Sequence, residues 1–227
     1  IIKTVTISKT PSGKYYISML VEYENQILPV IPKTFLGLDF AMHSLYVASD
    51  EDEAKYPDFL RKAEKRLAKA QRKLSQKQKE SHNREKQRLR VAILHEKVAN
   101  QRRDFLHKKA RYLADRYDVI GIEDISVKAM AKRKKGGKFS FGKSVADNGW
   151  NMFTNMLEYK LAWQGKKLIK IDKWYPSSQL CHVCGYQNHE TKDLSVREWD
   201  CPKCGSHHNR DKNAAINIRE EARRISA

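Results

Sequence analysis

Residues 201–218 read CPKCGSHHNRDKNAAINI, and a second cysteine pair precedes them as Cys181-His182-Val183-Cys184. Sixteen residues separate the two Cys-x2-Cys pairs, and a glycine directly follows each pair. This spacing is typical of a structural zinc site, in which four thiolates fill a tetrahedral shell and leave no open position for a substrate. We therefore predict a zinc ribbon with four ligands: Cys181, Cys184, Cys201 and Cys204.

Two disulfides are the alternative use of these cysteines. All four fall within one 24-residue window and the rest of the chain has no cysteine, which favours zinc. Three histidines lie near the pairs: His182, His207 and His208. Because four cysteines already complete the shell, we expect these histidines to contact the ligands from outside, or nucleic acid, rather than replace a ligand.

An aspartate follows the second cysteine pair at the start of a helix predicted over residues 212–222. Spacings of 4, 3 and 4 residues place four side chains on one face: Asp211, Ala215, Ile218 and Ala222. A carboxylate on an apolar face costs free energy unless it is paired or bound to a cation. Helix capping is the other explanation, but Asn209 can serve as the cap. Asp211 is therefore a candidate metal ligand.

Two further acids stand at the ends of predicted buried strands. Asp39 follows a Leu-Gly-Leu run, and Glu123 follows Val-Ile-Gly-Ile. Nucleases of the two-metal type need carboxylates from separate elements, which hold two Mg²⁺ about 3.5–4 Å apart. Asp124 and Asp172 are rivals for these positions, although in a strand Asp124 points to the face opposite Glu123.

Strands alternate with helices along much of the chain, which favours an α/β sheet. Strands are predicted over residues 35–40, 44–49, 117–125 and 167–172, and a helix over 151–164. Four large apolar residues recur at helical spacing on that helix and are expected to form its buried face: Met152, Met156, Tyr159 and Trp163.

The positive charge is concentrated in one segment. The chain has 227 residues and a formal net charge of +18, and residues 55–111 carry 20 Lys and Arg against 6 Asp and Glu. An apolar stripe and the polar residues 75–83 predict a helical hairpin there. No apolar run approaches the roughly 18 residues of a membrane span. Such one-sided charge favours contact with nucleic-acid phosphates over a solvated helix pair or an anionic membrane surface.

Two further segments have distinctive patterns, one at the start of the chain and one in a basic loop. Residues 1–30 alternate in polarity around Pro11-Ser12-Gly13, which predicts a β-ribbon. Because the chain starts Ile1-Ile2 in strand-like sequence, we expect it to be part of a longer protein. A basic, glycine-containing loop is interpreted as a clamp on a nucleic-acid strand or as a solvated linker, and it includes Lys132, Arg133, Lys134 and Lys135.

The order of these features resembles the RuvC-type nuclease of the transposon-encoded TnpB proteins, which are relatives of type V CRISPR effectors. The resemblance covers essentially the whole chain. It rests on Asp39, on Gly121-Ile122-Glu123-Asp124, on Trp174-Tyr175-Pro176-Ser177-Ser178-Gln179-Leu180-Cys181, and on Cys204-Gly205 running on to Asp211-Lys212-Asn213-Ala214-Ala215. The family often has Gly two positions after its first Asp, where this chain has Ala41.

This resemblance implies a RuvC/RNase H-like mixed α/β sheet with flanking helices, a helical hairpin insertion, a four-cysteine zinc ribbon insertion and an N-terminal β-ribbon from a wedge-type barrel. The implied domains are the end of the wedge-like β domain (1–32), three RuvC parts (33–54, 118–177 and 207–227), the basic helical insertion (55–117) and the zinc ribbon that binds target nucleic acid (178–206).

The resemblance also implies an RNA-guided, transposon-associated DNA endonuclease. Asp39, Glu123 and Asp211 would be the catalytic ligands of two Mg²⁺, and hydrolysis would leave 5′-phosphate and 3′-hydroxyl ends. Arg210 would contact the scissile phosphate. The implied partners are a guide RNA and a target DNA, with no membrane. The expected setting is the prokaryotic cytoplasm at the nucleoid, and both a monomer and a dimer stay open.

Three other functions stay open at this point. A miniature type V CRISPR effector would use the same chemistry with a guide from a repeat array. A non-catalytic guided repressor or transposition regulator would bind without cutting, and the three acids weigh against it. The third is a guide-free transposase that joins DNA strands.

Overall fold

The computed structural model describes residues 1–41, 44–52, 54–125 and 149–227. Within them the chain forms two compact units, one of residues 1–26 and 58–105 and one of residues 27–57 and 106–227. The second unit includes the end of the helical hairpin, from residue 106 onward, and the predicted domain limits stay predictions. The predicted contact residues Lys132, Arg133, Lys134 and Lys135 lie outside the described residues.

The first unit contains the predicted β-ribbon. Strand β1 (Ile2–Lys9) pairs antiparallel with β2 (Tyr15–Val21), and Gly13 turns the chain between them at φ +90°, a conformation that favours glycine. All residues of both strands are exposed. Among the described residues no further strand joins this pair, so the wedge-type barrel stays a prediction.

The same unit contains most of the predicted helical hairpin. Helices α1 (Phe59–Ser75) and α2 (His82–Arg116) are joined by a short polar loop. The apolar stripe of α1 is confirmed at its centre, where Leu67 and Ala70 are buried together with Val91 of α2. The remaining surface of the hairpin therefore carries the basic side chains.

The second unit is built on a mixed sheet, as predicted. Its strands are β3 (Phe35–Phe40), β4 (Tyr46–Ala48), β5 (Val119–Glu123) and β6 (Lys167–Ile171), in the order β4-β3-β5-β6. The β3–β4 pair is antiparallel, and the β3–β5 and β5–β6 pairs are parallel. The other elements are α3 (Trp150–Ala162), a 3₁₀ turn (His189–Lys192), the antiparallel pair β7 (Glu198–Asp200) and β8 (His207–Asn209), and α4 (Arg210–Ser226).

Two glycines bring α4 directly onto the sheet. A Cβ atom at Gly37 of β3 would lie 2.0 Å from the carbonyl oxygen of Ala215, and one at Gly121 of β5 would lie 2.6 Å from the Cβ of Ala222. No side chain fits at these distances, so the helix approaches the strands only because both positions are glycine. The surrounding apolar residues form one buried cluster: Val119, Ile171, Ile218 and Ala222.

Helix α3 packs on the opposite face of the sheet. Side chains alternate along a strand, so Phe40 points away from the face that Gly37 presents to α4. The Phe40 ring lies 5.5 Å from that of Trp150, and the Tyr46 ring lies 5.6 Å from that of Phe153. The sheet is therefore covered by a helix on each face.

The predicted buried face of α3 is wrong. Met152 and Trp163 are 38% and 59% exposed, and of the predicted stripe only Met156 is buried. The helix has apolar residues on two faces, and packing against Phe40 and Tyr46 selects the other one. The buried residues are Trp150, Phe153, Thr154, Met156, Leu157 and Leu161.

Helix α4 starts two residues earlier and ends four residues later than predicted. Its last turn has one apolar residue, the exposed Ile225, and so gives little apolar signal in the sequence. Ion pairs hold it instead, with Arg224 Nη2 2.6 Å from Glu221 Oε1. Within the described parts of the chain, no helix combines the length and apolar character needed to cross a bilayer.

Candidate catalytic edge and metal centre

Asp39 and Glu123 lie on the sheet face that α4 covers. Residues two apart on a strand share a face, so Asp39 lies on the side of Gly37, and Glu123 on the side of Gly121. Strands β3 and β5 run parallel and in register up to the residues just before these acids. Both carboxylates therefore stand at the carboxyl edge of neighbouring strands, beneath the same helix.

Asp211 lies in the first turn of α4, four residues before Ala215, whose carbonyl faces Gly37. The Asn209 Oδ1 accepts a hydrogen bond from the amide of Lys212 at 3.1 Å and caps the helix. Asn209 is therefore the cap, as predicted, and the carboxylate of Asp211 is left for other partners.

The charges of the other two acids act on Asp39. Burial raises the pKa of Asp39 well above its usual range, the charges of Glu123 and Asp211 raise it further, and Arg210 opposes them. Repulsion of this kind is relieved by a bound cation. Oxygen donors are the ligands that Mg²⁺ prefers, so the donor set fits that ion.

The rival acids have other surroundings. Asp124 is exposed, and the Oδ1 of Asp172 accepts a hydrogen bond from the Trp174 amide at 2.7 Å, which closes a turn. Neither acid is among the charges that shift the pKa of Asp39. The charges that act on Asp39 are thus those of the two chosen acids and not those of these rivals.

Two contacts to the acids are not evident from the sequence. The buried Ser177 donates a hydrogen bond from its hydroxyl to Oε1 of Glu123. The Arg197 Nη1 lies 3.4 Å from Oδ2 of Asp211. Arg210, predicted to contact the scissile phosphate, has a buried Nε with no hydrogen-bond partner among the described residues. The edge thus combines three acids with a hydroxyl and two guanidinium groups.

The four predicted zinc ligands converge. Their sulfur atoms lie within 4.8 Å of one another, with Cys181 and Cys204 3.7 Å apart and Cys184 and Cys201 3.5 Å apart. Tetrahedral zinc with Zn–S bonds of about 2.3 Å sets its sulfurs about 3.8 Å apart, so the cluster could hold zinc. The cysteines are free, so the disulfide alternative is wrong. Among the residues described, the three carboxylates do not form so close a group.

Two tight turns shape the cysteine cluster. Gly185 and Gly205 both have φ +73°, and the Gly205 amide donates to the carbonyl of Cys201 at 2.8 Å. The hydroxyl and the amide of Ser206 lower the pKa of Cys204 to about 6. They favour the thiolate, which is the form that binds metal.

None of the three nearby histidines replaces a cysteine in the cluster. The His208 Nε2 lies 3.1 Å from the Cys181 sulfur, and the ring is buried. His182 contacts Asn213 of α4, and the His207 Nδ1 lies 2.9 Å from a carboxylate of β7. The expectation that these residues contact the ligands from outside is confirmed for His208.

Two buried asparagines tie the cysteine cluster to α4. The Asn213 Oδ1 accepts from the His182 amide at 3.1 Å, and its Nδ2 donates to the Leu180 carbonyl at 2.7 Å. Asn217, one turn later, donates to the carbonyls of Leu180 and Ser177, both at 2.7 Å. The helix that carries the third acid therefore also anchors the metal centre.

The family described as "Probable transposase" (OrfB_IS605) matches residues 18–134, just over half of the chain. The chain belongs to this family. A second family, described as "Cas12f1-like, TNB domain", matches residues 150–218, which include the four cysteines and Asp211. These matches confirm the family that the resemblance predicted.

Relatives support this assignment. A Streptomyces pristinaespiralis protein named "Putative RNA-guided DNA endonuclease" is 40% identical over 95% of this chain and 52% of its own length. An Escherichia coli protein named "Putative RNA-guided DNA endonuclease InsQ" is 35% identical over 96% of this chain and 56% of its own. The chain thus spans about half the length of these relatives.

The fold also matches a solved structure, "Cryo-EM structure of the Cas12f1-sgRNA-target DNA complex". The TM-score is 0.52 at 20% sequence identity, covering 95% of this chain and 55% of that one. At this identity the likeness shows the fold.

Proposed function

We propose that this chain forms the nuclease part of an RNA-guided DNA endonuclease that hydrolyses phosphodiester bonds in target DNA. The observation that carries the proposal is that Asp39 and Glu123 stand at the carboxyl ends of neighbouring parallel strands beneath α4, and that the first turn of α4 carries Asp211. Carboxylates from separate elements are what a two-metal nuclease requires. The names of the two relatives support the same activity.

Mg²⁺ is the proposed cofactor of this edge, held by Asp39, Glu123 and Asp211. When bound, two such ions activate a water for in-line attack on phosphorus and stabilise the leaving oxygen. Ser177 orients the carboxylate of Glu123 through its hydrogen bond. Because Ser177 is buried, this orientation is fixed before substrate binds.

Arg210 is proposed to bind the scissile phosphate. Its positive charge opposes the rise in the pKa of Asp39, so it acts at the same edge. Its buried Nε finds no partner among the described residues, and an unpaired buried donor costs free energy. A guanidinium presents donors in a fork that matches a phosphate, so substrate would satisfy it.

The proposed partners are a guide RNA and a target DNA. The basic helices α1 and α2 would hold the nucleic-acid backbone, while base pairing with the guide would read the sequence. The cysteine cluster would fold the ribbon around zinc and present it to target nucleic acid, since a closed four-thiolate shell leaves no site for chemistry. The clamp role of Lys132, Arg133, Lys134 and Lys135 stays a prediction.

A miniature CRISPR effector is the second candidate. The match of residues 150–218 to the Cas12f1-like family favours it specifically. Sequencing the RNA that co-purifies with the full-length protein separates the two. A single scaffold encoded beside the gene at a transposon end supports the transposon enzyme, and repeat-derived guides support the effector.

The activity is tested with Asp39→Asn in the full-length protein loaded with its guide RNA. We expect cleavage of matched DNA to require Mg²⁺ and to fall about 10²-fold or more in the variant, because a metal contributes several kcal/mol and each 1.36 kcal/mol is tenfold. Binding of RNA and DNA should persist.

Asp124→Asn is the matched control, because Asp124 is exposed and adjoins Glu123. We expect its cleavage rate to stay within about twofold of the parent protein, as is usual for a surface change that removes no contact. Retained cutting by Asp39→Asn would refute the ligand role. If neither the parent protein nor the variants cut but all bind, the chain belongs to a guided regulator.

A further inference from the structure

We propose that a cleft between α1 and α2 binds the phosphate backbone of a nucleic acid. The cleft has a volume of about 260 Å³ and lies within the first unit. Four basic side chains and three less exposed residues line it: Arg66, Lys69, Lys73 and Arg90, with Ala70, Gln87 and Leu94. The proposal deepens the proposed function and rests on it only in that the protein handles nucleic acid.

The basic side chains converge because of their helical spacing. Arg66, Lys69 and Lys73 are separated by 3 and 4 residues, so they lie on one side of α1. At 1.5 Å per residue they span about 10 Å along the helix axis. Arg90 faces them from α2. The result is a row of cations along one wall with a fourth cation on the other.

The cleft is open because one residue buried between the two helices is small. Ala70 fills little of the space between the helices, and Gln87 folds over it. The Gln87 Nε2 donates to the Ala70 carbonyl at 2.9 Å, which holds that side chain at the bottom of the cleft. A larger residue at position 70 would close the opening that the cations surround.

No carboxylate neutralises this row in the part of the chain that the structure describes. Two acids of α2 pair with cations outside the cleft, since Glu85 lies 2.8 Å from Arg88 and Glu96 lies 3.2 Å from Lys14. Like charges held around a concave surface repel one another and focus a positive potential. An anion in the cleft would therefore relieve a repulsion that the chain itself leaves uncompensated.

The size of the cleft points to phosphate groups rather than to bases. Its volume of about 260 Å³ corresponds to roughly nine waters at about 30 Å³ each. That space accommodates phosphate groups of one strand but not a stacked duplex, so the nucleic acid would lie across the opening. Lysine and arginine contacts to phosphate carry no sequence information. Such contacts suit a guided complex, in which base pairing with the guide reads the sequence.

The test compares two fourfold variants of the full-length protein. The cleft variant is R66Q/K69Q/K73Q/R90Q. The control variant is R61Q/K65Q/R72Q/K86Q, which removes the same charge from exposed positions of the same helices outside the cleft. Both sets take two Arg and two Lys, with three changes on α1 and one on α2. Equal circular dichroism and melting temperature confirm that both variants fold.

Equilibrium binding is measured over a range of KCl concentrations in two arms. One arm uses the guide RNA alone, and the other uses duplex target DNA with the RNA-loaded protein. We expect the cleft variant to lose at least tenfold in affinity at about 0.15 M KCl in one arm or both. The slope of log K against log salt should fall by about 3, since four phosphate contacts are lost and each removes about 0.7–0.9. The control variant should lose less than threefold.

The arm that shows the loss identifies whether the phosphates belong to RNA or DNA, and either result supports the proposal. Equal losses in the two variants would reduce the cleft to general surface charge and overturn it, as would no loss in the cleft variant. A protein that shows the cleft effect but never cuts DNA would contradict the proposed nuclease and leave the cleft intact.

Discussion

The cysteine cluster and the carboxylate edge are both candidate metal sites of the same unit, yet they are assembled in different ways. The cysteines span 24 residues, and two short glycine-ended turns bring them together. The acids stand at positions 39, 123 and 211. Pairing of β3 with β5 places the first two on neighbouring strands, and packing of α4 on both strands adds the third. Bringing together residues that are close in sequence costs little conformational entropy, because the loops between them are short. Residues that are far apart in sequence meet only when the whole fold has formed.

The largest expected effect is on the cysteine cluster, which should depend on its four thiolates alone. Cys204→Ser should abolish stoichiometric zinc binding and unfold the ribbon, because structural zinc contributes an apparent binding free energy of about 10–16 kcal/mol. Zinc content per chain and proteolysis within residues 181–204 measure the two effects. Lys203→Ser, at the exposed neighbouring position, is the control and should keep its zinc. Full zinc content in the Cys204 variant would show the ligand set to be wrong.

The next effect concerns the fold that assembles the edge. Gly37→Ala places a Cβ against the backbone of α4 and should lower the free energy of unfolding by about 3 kcal/mol or more. Gly185→Ala has open space and costs only its left-handed conformation, about 1–2 kcal/mol. Urea unfolding of both variants measures the difference. If Gly185→Ala costs as much as Gly37→Ala, close packing of α4 does not assemble the edge.

A smaller effect tests the link between the two sites. Asn217→Ala removes the side-chain amide that donates to the carbonyls of Ser177 and Leu180. Because these acceptors are then left without that donor, the free energy of unfolding should fall by about 2 kcal/mol. Amide hydrogen exchange over residues 177–182 should accelerate in the variant. Asn151→Ala, at an exposed position of α3, is the control and should leave exchange there unchanged. Unchanged protection in the Asn217 variant would mean that the sites are anchored independently.

The smallest effect concerns the orientation of one acid. Ser177→Ala removes the hydroxyl that contacts Glu123 and should raise the Mg²⁺ concentration for half-maximal cleavage about tenfold, since a hydrogen bond to a charged group is worth about 1.5 kcal/mol. Zinc content should not change. Ser178→Ala, one residue further, is the control. The same Mg²⁺ requirement in both variants would assign Ser177 a packing role alone.

Some elements could be predicted from the sequence because their signals are local. The glycine-ended turns and cysteine spacing predicted the cluster, and polarity patterns predicted β1, β2 and the helical hairpin. Asn209 was available as a cap, which left Asp211 free for another role. Each of these inferences depends on residues only a few positions apart.

Other features depended on contacts that no local pattern contains. The buried face of α3 was chosen by Phe40 and Tyr46, far from it in sequence. The contact between Ser177 and Glu123 joins residues 54 positions apart. The clustering of cations around the α1–α2 cleft requires the two helices to pack antiparallel around Ala70.

Spacing and composition alone were enough to predict the four clustered cysteines, the charge of the hairpin and the acids at the strand ends, because these signals act over a few residues. The tertiary structure decided which acids share a face, which side of α3 is buried and how the ribbon is anchored to α4. These outcomes depend on contacts between segments that are far apart in the chain. Such contacts form only in the complete fold, where glycines, buried amides and apolar faces of different segments pack against one another.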